Sequence, residues 1–439
     1  MKPIEFSVIT KGIYRDINGD GSDWSIGSDL NELFAVQVAR FPEKKAVVCG
    51  ENYLTYRELD QRSNVLAQLL CQRGARKGSY IGICLSRSLA LIEVILAISK
   101  CGAVYVPVEK QWPQERLQRI FSEIELDIIV TDGSGLPEQI TRGLTVVDPA
   151  EVDRSVEAEA ISVSVEADDP IYVNFTSGAT GELKAVPICH RGVVRLANSP
   201  RYLKDPTNIT TLHLASIACD AATFEIWVPL LTGGTCVVFT QTVMHLTELK
   251  HELVNQQVNT IFLTSALFNS IVDVAPECLA SVDTILTGGE FHSVRFITKA
   301  VDYYGPGRIV SLYGPTECTT FATFYPVNSV FPSQHCIPLG RPIQSTGLYL
   351  LNGDVACDIG ETGTIHLSGP GLSPGYLFNS ALNKKHFKRR LINGREVCLY
   401  DWGEPMGAPA IFEKQIEIKL LHPASTLESR IQVMVIGTR

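Results

Sequence analysis

Phe175-Thr-Ser-Gly-Ala-Thr-Gly-Glu-Leu-Lys184 puts three hydroxyl residues, two glycines and a cation into one short stretch. It follows Ile171–Phe175, whose β-branched and aromatic residues read as a strand. It precedes His190-Arg-Gly-Val193, which opens a helix-like segment. Hydroxyls and glycines directly after a strand form a loop whose backbone N–H groups can wrap phosphate oxygens. Lys184 adds positive charge. The stretch is not a Walker loop, because Lys184 has no glycine before it and no Ser or Thr after it. Taken alone, an ordinary Gly/Ser turn stays open as a reading.

Outward from this loop the chain alternates short β-rich runs with helical ones. Upstream lie Ala46–Val48, a helix from Tyr56 to Gln72, Tyr80–Leu85, a helix from Leu89 to Lys100, Val104–Val106, a helix from Pro113 to Ile124, and Asp127–Thr131. A second run of the same kind begins at Ile171–Phe175 and continues through Thr211–Leu214, Thr235–Phe239, Thr260–Leu263, Thr284–Leu286 and Ile309–Leu312. Such alternation predicts an α/β protein, with two stacked α/β subdomains of mostly parallel sheet and helices on both faces. The acidic segment from Asp148 to Asp169 reads as a solvated linker. After about Phe321, Gly, Pro and alternating residues predict a small, β-rich, barrel-like third subdomain. The expected division is a flexible lead-in over 1–27, a body over 28–400 and an altered tail over 401–439.

The chain has 439 residues, 45% hydrophobic and 19% charged, which is a globular composition with room for two or three domains. A net charge of −9 argues against a nucleic-acid surface. The most apolar stretch, Ile81–Ala97, is broken by Ser86, Arg87, Ser88 and Glu93, so no membrane span is expected. No basic-then-apolar signal segment opens the sequence, and a cytoplasmic location is expected. The twelve cysteines form no C-x-x-C pair; couples such as Cys219 and Cys236 read as buried thiols.

Several stretches resemble, in order, the motifs of the adenylate-forming (AMP-binding) superfamily, which includes acyl-CoA synthetases, luciferases and the adenylation domains of nonribosomal peptide synthetases. TSGATGELK is similar to its phosphate loop. Leu54-Thr-Tyr-Arg-Glu-Leu59 resembles its early strand-to-helix signature, and Lys100-Cys-Gly-Ala-Val-Tyr-Val-Pro-Val108 its KAGAAYVP segment. Asp220-Ala-Ala-Thr-Phe-Glu225 resembles the FDAS segment, and Gly288-Gly-Glu290 the adenine-loop segment. Tyr313-Gly-Pro-Thr-Glu317 matches YGPTE unaltered, and Gly360–Gly363 through Gly371–Tyr376 resembles a later glycine-rich segment. The resemblance covers roughly residues 28 to 400 and implies an acyl-CoA synthetase-like fold.

It also implies roles. Thr176, Ser177, Gly178, Ala179, Thr180 and Gly181 would cradle the β- and γ-phosphates of ATP, with Lys184 balancing charge as pyrophosphate leaves. Thr316 would meet the α-phosphate, and Glu317 would hold Mg²⁺, a hard ion suited to a carboxylate plus phosphate oxygens. Tyr313 would stack on adenine beside Gly288, Gly289, Glu290 and Gly314. Asp220 lies in an apolar run where an unpaired carboxylate is costly. In the amino-acid-activating branch, the aspartate at this motif position binds the substrate ammonium; a helix N-cap is the competing role. By the same correspondence the side-chain pocket is Ala221, Phe224, Phe262, Leu286, Gly288, Leu312, Thr320 and Phe321. Apart from Asp220 the set is uncharged, which suits isoleucine, then valine and leucine. Plain core packing competes for each position.

The implied reaction joins an amino acid and ATP to aminoacyl-AMP and pyrophosphate, for transfer to a peptidyl carrier protein beside neighbouring synthetase domains or an MbtH-like protein. The sequence departs from the family near its end. Where the family has Y-x-T-G-D, this chain has Tyr400-Asp-Trp-Gly-Glu404, so Glu404 would take the ribose role. Phe412–Lys419 only faintly echoes the hinge segment. The C-terminal lid and its lysine are not recognised, which would impair the isolated chain. Two other functions stay open: a degenerate module that binds ligand with little turnover, and an acyl-CoA or aryl-acid ligase.

Overall fold

The computed structural model describes residues 3–5, 11, 14, 29–133, 136–153, 158–161, 163–177, 183–241, 243–330, 335–403, 410–418 and 427–435. Local chemistry sets the expected elements. The helix Tyr56–Gln72 starts at a capping box: the Thr55 hydroxyl accepts from the Glu58 N–H, and the Glu58 carboxylate accepts from the Thr55 N–H. The helix Leu89–Lys100 starts where the Ser88 hydroxyl accepts from the Leu91 N–H, and it is buried from Leu91 to Ser99. This apolar run is thus a core helix. Among the described residues no helix is long and apolar enough to cross a membrane.

The strands form three sheets. In the first the order is Thr145–Val147, Leu126–Thr131, Tyr80–Cys84, Val104–Pro107, Pro170–Ser177 and Leu183–Cys189, parallel except for the last pair. In the second it is Arg341–Pro342, Thr323–Val327, Ile309–Tyr313, Thr284–Gly288, Thr260–Thr264, Thr210–His213, Thr235–Val238, Lys45–Cys49 and Asn52–Thr55, with a parallel centre and antiparallel edges. The expected partition by sequence order fails at two places. Lys45–Cys49 leaves the first run to pair with Thr235–Val238, Val47 lying opposite Cys236. Pro170–Ser177 crosses the other way and joins the first sheet beside Val104–Pro107. Hydrophobic periodicity fixes which residues are strand, but parallel partners are chosen by packing.

The helix Ala221–Thr232, buried from Ala221 to Leu231, lies between the two sheets. Its Trp227 Nε1 donates to Tyr105 of the first sheet, its Thr223 hydroxyl lies 2.6 Å from that of Tyr172, and Thr211 of the second sheet donates to the Glu225 carbonyl.

The third sheet is antiparallel, in the order Val355–Ala356, Gly347–Asn352, Thr362–Ser368, Arg395–Gly403 and Phe387–Ile392. It begins later than the expected position near Phe321, because Thr323–Val327 and Arg341–Pro342 finish the second sheet. The expected boundary at 400/401 falls inside the strand Arg395–Gly403. A hairpin of Ala410–Ile418 and Leu427–Val435 attaches to Thr362–Ser368. The described residues of the lead-in are docked on this layer: Ile4 and Glu5 donate to the Leu391 and Asp354 carbonyls, and Tyr14 stacks on Tyr349.

Candidate active site

Asp220 follows the strand Thr210–His213, and the segment after Ile309–Tyr313 reaches it, so the site gathers at the C-terminal ends of strands of the second sheet, where open α/β sheets place their ligands. Asp220 stands at the start of the helix Ala221–Thr232 but makes no capping hydrogen bond. Its Oδ2 instead accepts from the Thr316 hydroxyl at 2.9 Å, and its carbonyl accepts from the Thr320 hydroxyl at 2.8 Å. Burial is the main force pushing the Asp220 carboxyl up to about 6; the Thr316 hydroxyl opposes it and the Glu317 charge adds to it. The two acids expected to face opposite ends of a substrate, Asp220 and Glu317, therefore lie near enough for the charge of one to act on the other.

The Thr316–Phe321 segment is held in a strained shape. Thr319 and Thr320 have φ of 50° and 65°, a region β-branched residues avoid. Such strain persists only where surrounding contacts over-determine it. Here the fully buried Arg195 does much of this, donating to the carbonyls of Cys318, Thr319 and Phe321 at 2.7, 2.9 and 2.8 Å and to the Thr346 hydroxyl. The Thr319 hydroxyl donates to the Gly371 carbonyl at 2.7 Å. A β-carbon on Gly371 would lie 2.4 Å from the Arg195 Cζ. Glu317 is buried, its Oε1 accepts from the Tyr376 phenol at 2.6 Å, and that phenol lies 3.2 Å from the Tyr400 hydroxyl.

The strands on either side of the expected phosphate loop are neighbours. Pro170–Ser177 pairs antiparallel with Leu183–Cys189, Thr176 opposite Lys184. The Lys184 ammonium lies 5.3 Å from the centre of the Tyr376 ring, so Tyr376 touches both the lysine and the glutamate expected to act on phosphate. Gly178, Ala179, Thr180 and Gly181 lie outside the described residues, as does Glu404.

Around the expected base position, a β-carbon on Gly288 would lie 2.3 Å from the Leu312 carbonyl oxygen, and Gly289 has φ of 93°. Only glycine suits either. Gly314 abuts the Thr320 carbonyl, and Glu290 is exposed. The Tyr313 ring stacks on Trp402, centroids 4.2 Å apart. The expected side-chain pocket residues Ala221, Phe224, Phe262, Leu286, Leu312 and Phe321 fall in one buried apolar cluster. Phe321 lies 5.6 Å from Phe224 and 5.5 Å from Phe262, ring centre to ring centre. Tyr202 joins them, 5.7 Å from Phe321. The sequence assigns no role to Tyr202, Arg195, Tyr376 or Trp402; of these Tyr376, the last residue of the glycine-rich segment, and Trp402, a departure from the YxTGD pattern, carried a signal.

Among the described residues no group of three or more His, Cys, Asp or Glu is placed to hold a metal ion, and no disulfide joins the cysteines.

Comparison with known proteins agrees with this fold. A family model described as AMP-binding enzyme matches residues 34–377. One of the linear gramicidin synthase proteins of Brevibacillus parabrevis is 36% identical over 364 residues, spanning 82% of this chain and 7% of that protein. Surfactin synthase subunit 3 of Bacillus subtilis is 31% identical over 364 residues, spanning 82% of this chain and 28% of that protein. The chain thus covers only a small part of these relatives. Among solved structures, the Klebsiella oxytoca NpsA N-terminal subdomain in complex with 3-hydroxybenzoyl-AMSN superposes with a TM-score of 0.81 at 25% identity, over 93% of this chain and 100% of that one. An artificially fused adenylation–PCP di-domain, NpsA-ThdA, also from Klebsiella oxytoca, gives 0.83 at 25% identity, over 94% of this chain and 79% of that one. Sequence, fold and the ordered motifs agree: the chain belongs to the AMP-binding enzyme family, with peptide-synthetase adenylation domains among its homologues.

Proposed function

We propose that the chain activates a small aliphatic L-amino acid, isoleucine ahead of valine and leucine, with ATP, giving aminoacyl-AMP and pyrophosphate. The observation that carries this reading is the Asp220 carboxylate, bonded to Thr316, next to Glu317 and at the mouth of an apolar cluster. A substrate ammonium there would neutralise a carboxylate that burial otherwise disfavours. The substrate carboxylate oxygen would attack the α-phosphorus beside Thr316 as the bond to pyrophosphate breaks. Thr176, Ser177, Gly178, Ala179, Thr180, Gly181 and Lys184 would hold the departing phosphates, stabilising charge that grows in the transition state. Tyr313, Gly288, Gly289, Glu290 and Gly314 would seat the base, and Glu404 the ribose.

Mg²⁺ fits Glu317, which offers a buried hard oxygen beside a second acid; with few protein ligands at hand, phosphate and water would complete its shell. Bound there, it would offset phosphate charge. Phe224, Phe262, Phe321 and the neighbouring Leu286, Leu312 and Ala221, with Thr320 and Gly288 at the rim, would receive the substrate side chain. Because they now pack on one another, a side chain must part them, and discrimination among aliphatic residues should be modest, about 1–3 kcal/mol per methylene. A peptidyl carrier protein is the proposed acceptor, in keeping with the similar adenylation–PCP di-domain. Neighbouring synthetase domains or an MbtH-like protein are further proposed partners.

A second reading, an aryl-acid ligase, draws support from the similar NpsA structure with its 3-hydroxybenzoyl ligand. Pyrophosphate exchange over a panel of amino acids, hydroxybenzoates and fatty acids separates the two. Exchange greatest with isoleucine, valine or leucine is expected. Exchange only with acids lacking an amino group would overturn the assignment to Asp220. ATP binding with no exchange at all would make the chain a binding module with little turnover.

A further inference from the structure

The proposed reaction leaves Trp402 without a task, yet the fold aims it with care. Along the strand Arg395–Gly403, Asp401 pairs with His366 and Gly403 pairs with Ile365, so Trp402 is the extra residue of a β-bulge. Bulges redirect one side chain and are frequent next to active sites. On the flank of this bulge, the Asp401 carboxylate is held by Lys388 and His366. The indole is thereby delivered onto Tyr313, with centroids 4.2 Å apart and planes inclined by 25°. Its N–H makes no hydrogen bond to another described residue, so the ring is held by this stack and by packing against the core.

We propose that Trp402 is a built-in surrogate for the nucleobase: its indole occupies the stacking position on Tyr313, and a purine binds by displacing it. This rests on the reading of Tyr313 as the residue that stacks on adenine. Indole and purine are both fused six- and five-membered aromatic rings, with similar stacking area. A base cannot enter between the two side chains as they stand. A sandwich needs roughly 7 Å between outer planes, twice the carbon contact distance of about 3.5 Å. Where the resembling motif has a threonine, this chain thus carries a competitor for its own site, and the strength of that stack is subtracted from the affinity for nucleotide.

The strand that carries Trp402 also borders the proposed phosphate end. Two residues before Trp402, the Tyr400 hydroxyl meets the Tyr376 phenol that donates to Glu317.

The test uses the full chain, with ATP and tripolyphosphate as probes; the second has the phosphates without a base. In W402A, ATP should bind more tightly by roughly 2- to 10-fold, the range spanned by a single aromatic pair, and tripolyphosphate should bind unchanged. In the native chain ATP should shift the tryptophan emission, and W402F, which keeps a ring on Tyr313 without the indole, should lose most of that shift. ATP binding equal in both proteins with unmoved emission, or weaker in W402A, would overturn the surrogate alone. Tripolyphosphate binding with no ATP binding in either protein would overturn the base-stacking role of Tyr313, and the surrogate with it.

Discussion

Asp220 is held in the unliganded fold against its electrostatic preference. Burial raises its carboxyl to about 6 from an ordinary value near 4, so the folded state binds this proton more tightly than the unfolded chain does. Stability from this group is therefore full below about pH 4, declines as pH rises toward 6, and is absent above it. Asp220→Asn keeps an acceptor for Thr316 and removes the charge. It should raise the stability of the free protein at pH 8 by about 1–2 kcal/mol and leave it nearly unchanged at pH 4, measured by urea unfolding. The same variant should lose amino-acid binding at least ~30-fold by calorimetry, because an ammonium would then face a neutral amide. In the native chain, amino-acid affinity should fall as pH drops through 6. A variant less stable at pH 8 than the native chain would refute the burial penalty. This residue was legible because a lone acid in the apolar run Ala218–Phe224 has to be explained. Arg195 was not: in His190–Ala197 it reads as a surface cation, and only the fold shows it fully buried with backbone carbonyls for partners.

The helix His190–Ala197 gains its importance from what Arg195 reaches, a left-handed pair of threonines that carries the proposed catalytic residues on one side and the pocket residues on the other. Arg195→Met would leave the carbonyls of Cys318, Thr319 and Phe321 without this donor, and each buried orphan costs about 1–3 kcal/mol. A loss of more than about 3 kcal/mol is expected in urea unfolding. Gly371→Ala should produce a smaller version of the same defect, about 1–3 kcal/mol, by forcing the guanidinium aside. A tolerated alanine at 371 would show that the loop is set by other contacts. Elements with periodic patterns or capping signals, such as Thr55–Gln72, could be read directly. The strand Leu183–Cys189 could not, because Pro187 reads as a breaker; it is tolerated on the edge of the first sheet, where the ladder continues on one side only. The β-run ending at Phe175 was thus legible as a strand, while its antiparallel pairing with Leu183–Cys189 was not.

Over the whole molecule, the alternation of strands and helices disclosed two layers, and the Gly- and Pro-rich texture after about Phe321 a third, but not how the chain is shared among them. The segment Lys45–Thr55 forms one edge of the second sheet, although the next strand along the chain, Tyr80–Cys84, belongs to the first, and the helix Ala221–Thr232 bonds to both. Sequence order carries no record of such an exchange, because Ala46, Val47 and Val48 are buried and would read the same in either sheet. The exchange has a thermodynamic consequence. A defect in Lys45–Cys49 cannot be confined to one sheet, since the chain that leaves it leads into the helix Tyr56–Gln72 and the strand Tyr80–Cys84 of the other. Val47→Ala removes two methyl groups from a fully buried site, worth about 2 kcal/mol with its cavity. Hydrogen exchange read by mass spectrometry should then quicken together at Tyr80–Cys84 and at Thr284–Gly288, strands that share no ladder. Separate units would instead show faster exchange in the second sheet with the first unaltered, and that outcome would mean that the crossing segment connects the layers without coupling them. Joint opening is the behaviour expected if the proposed ligand-binding residues are drawn from both sheets, with Thr176 and Lys184 on one and Tyr313 at the end of a strand of the other.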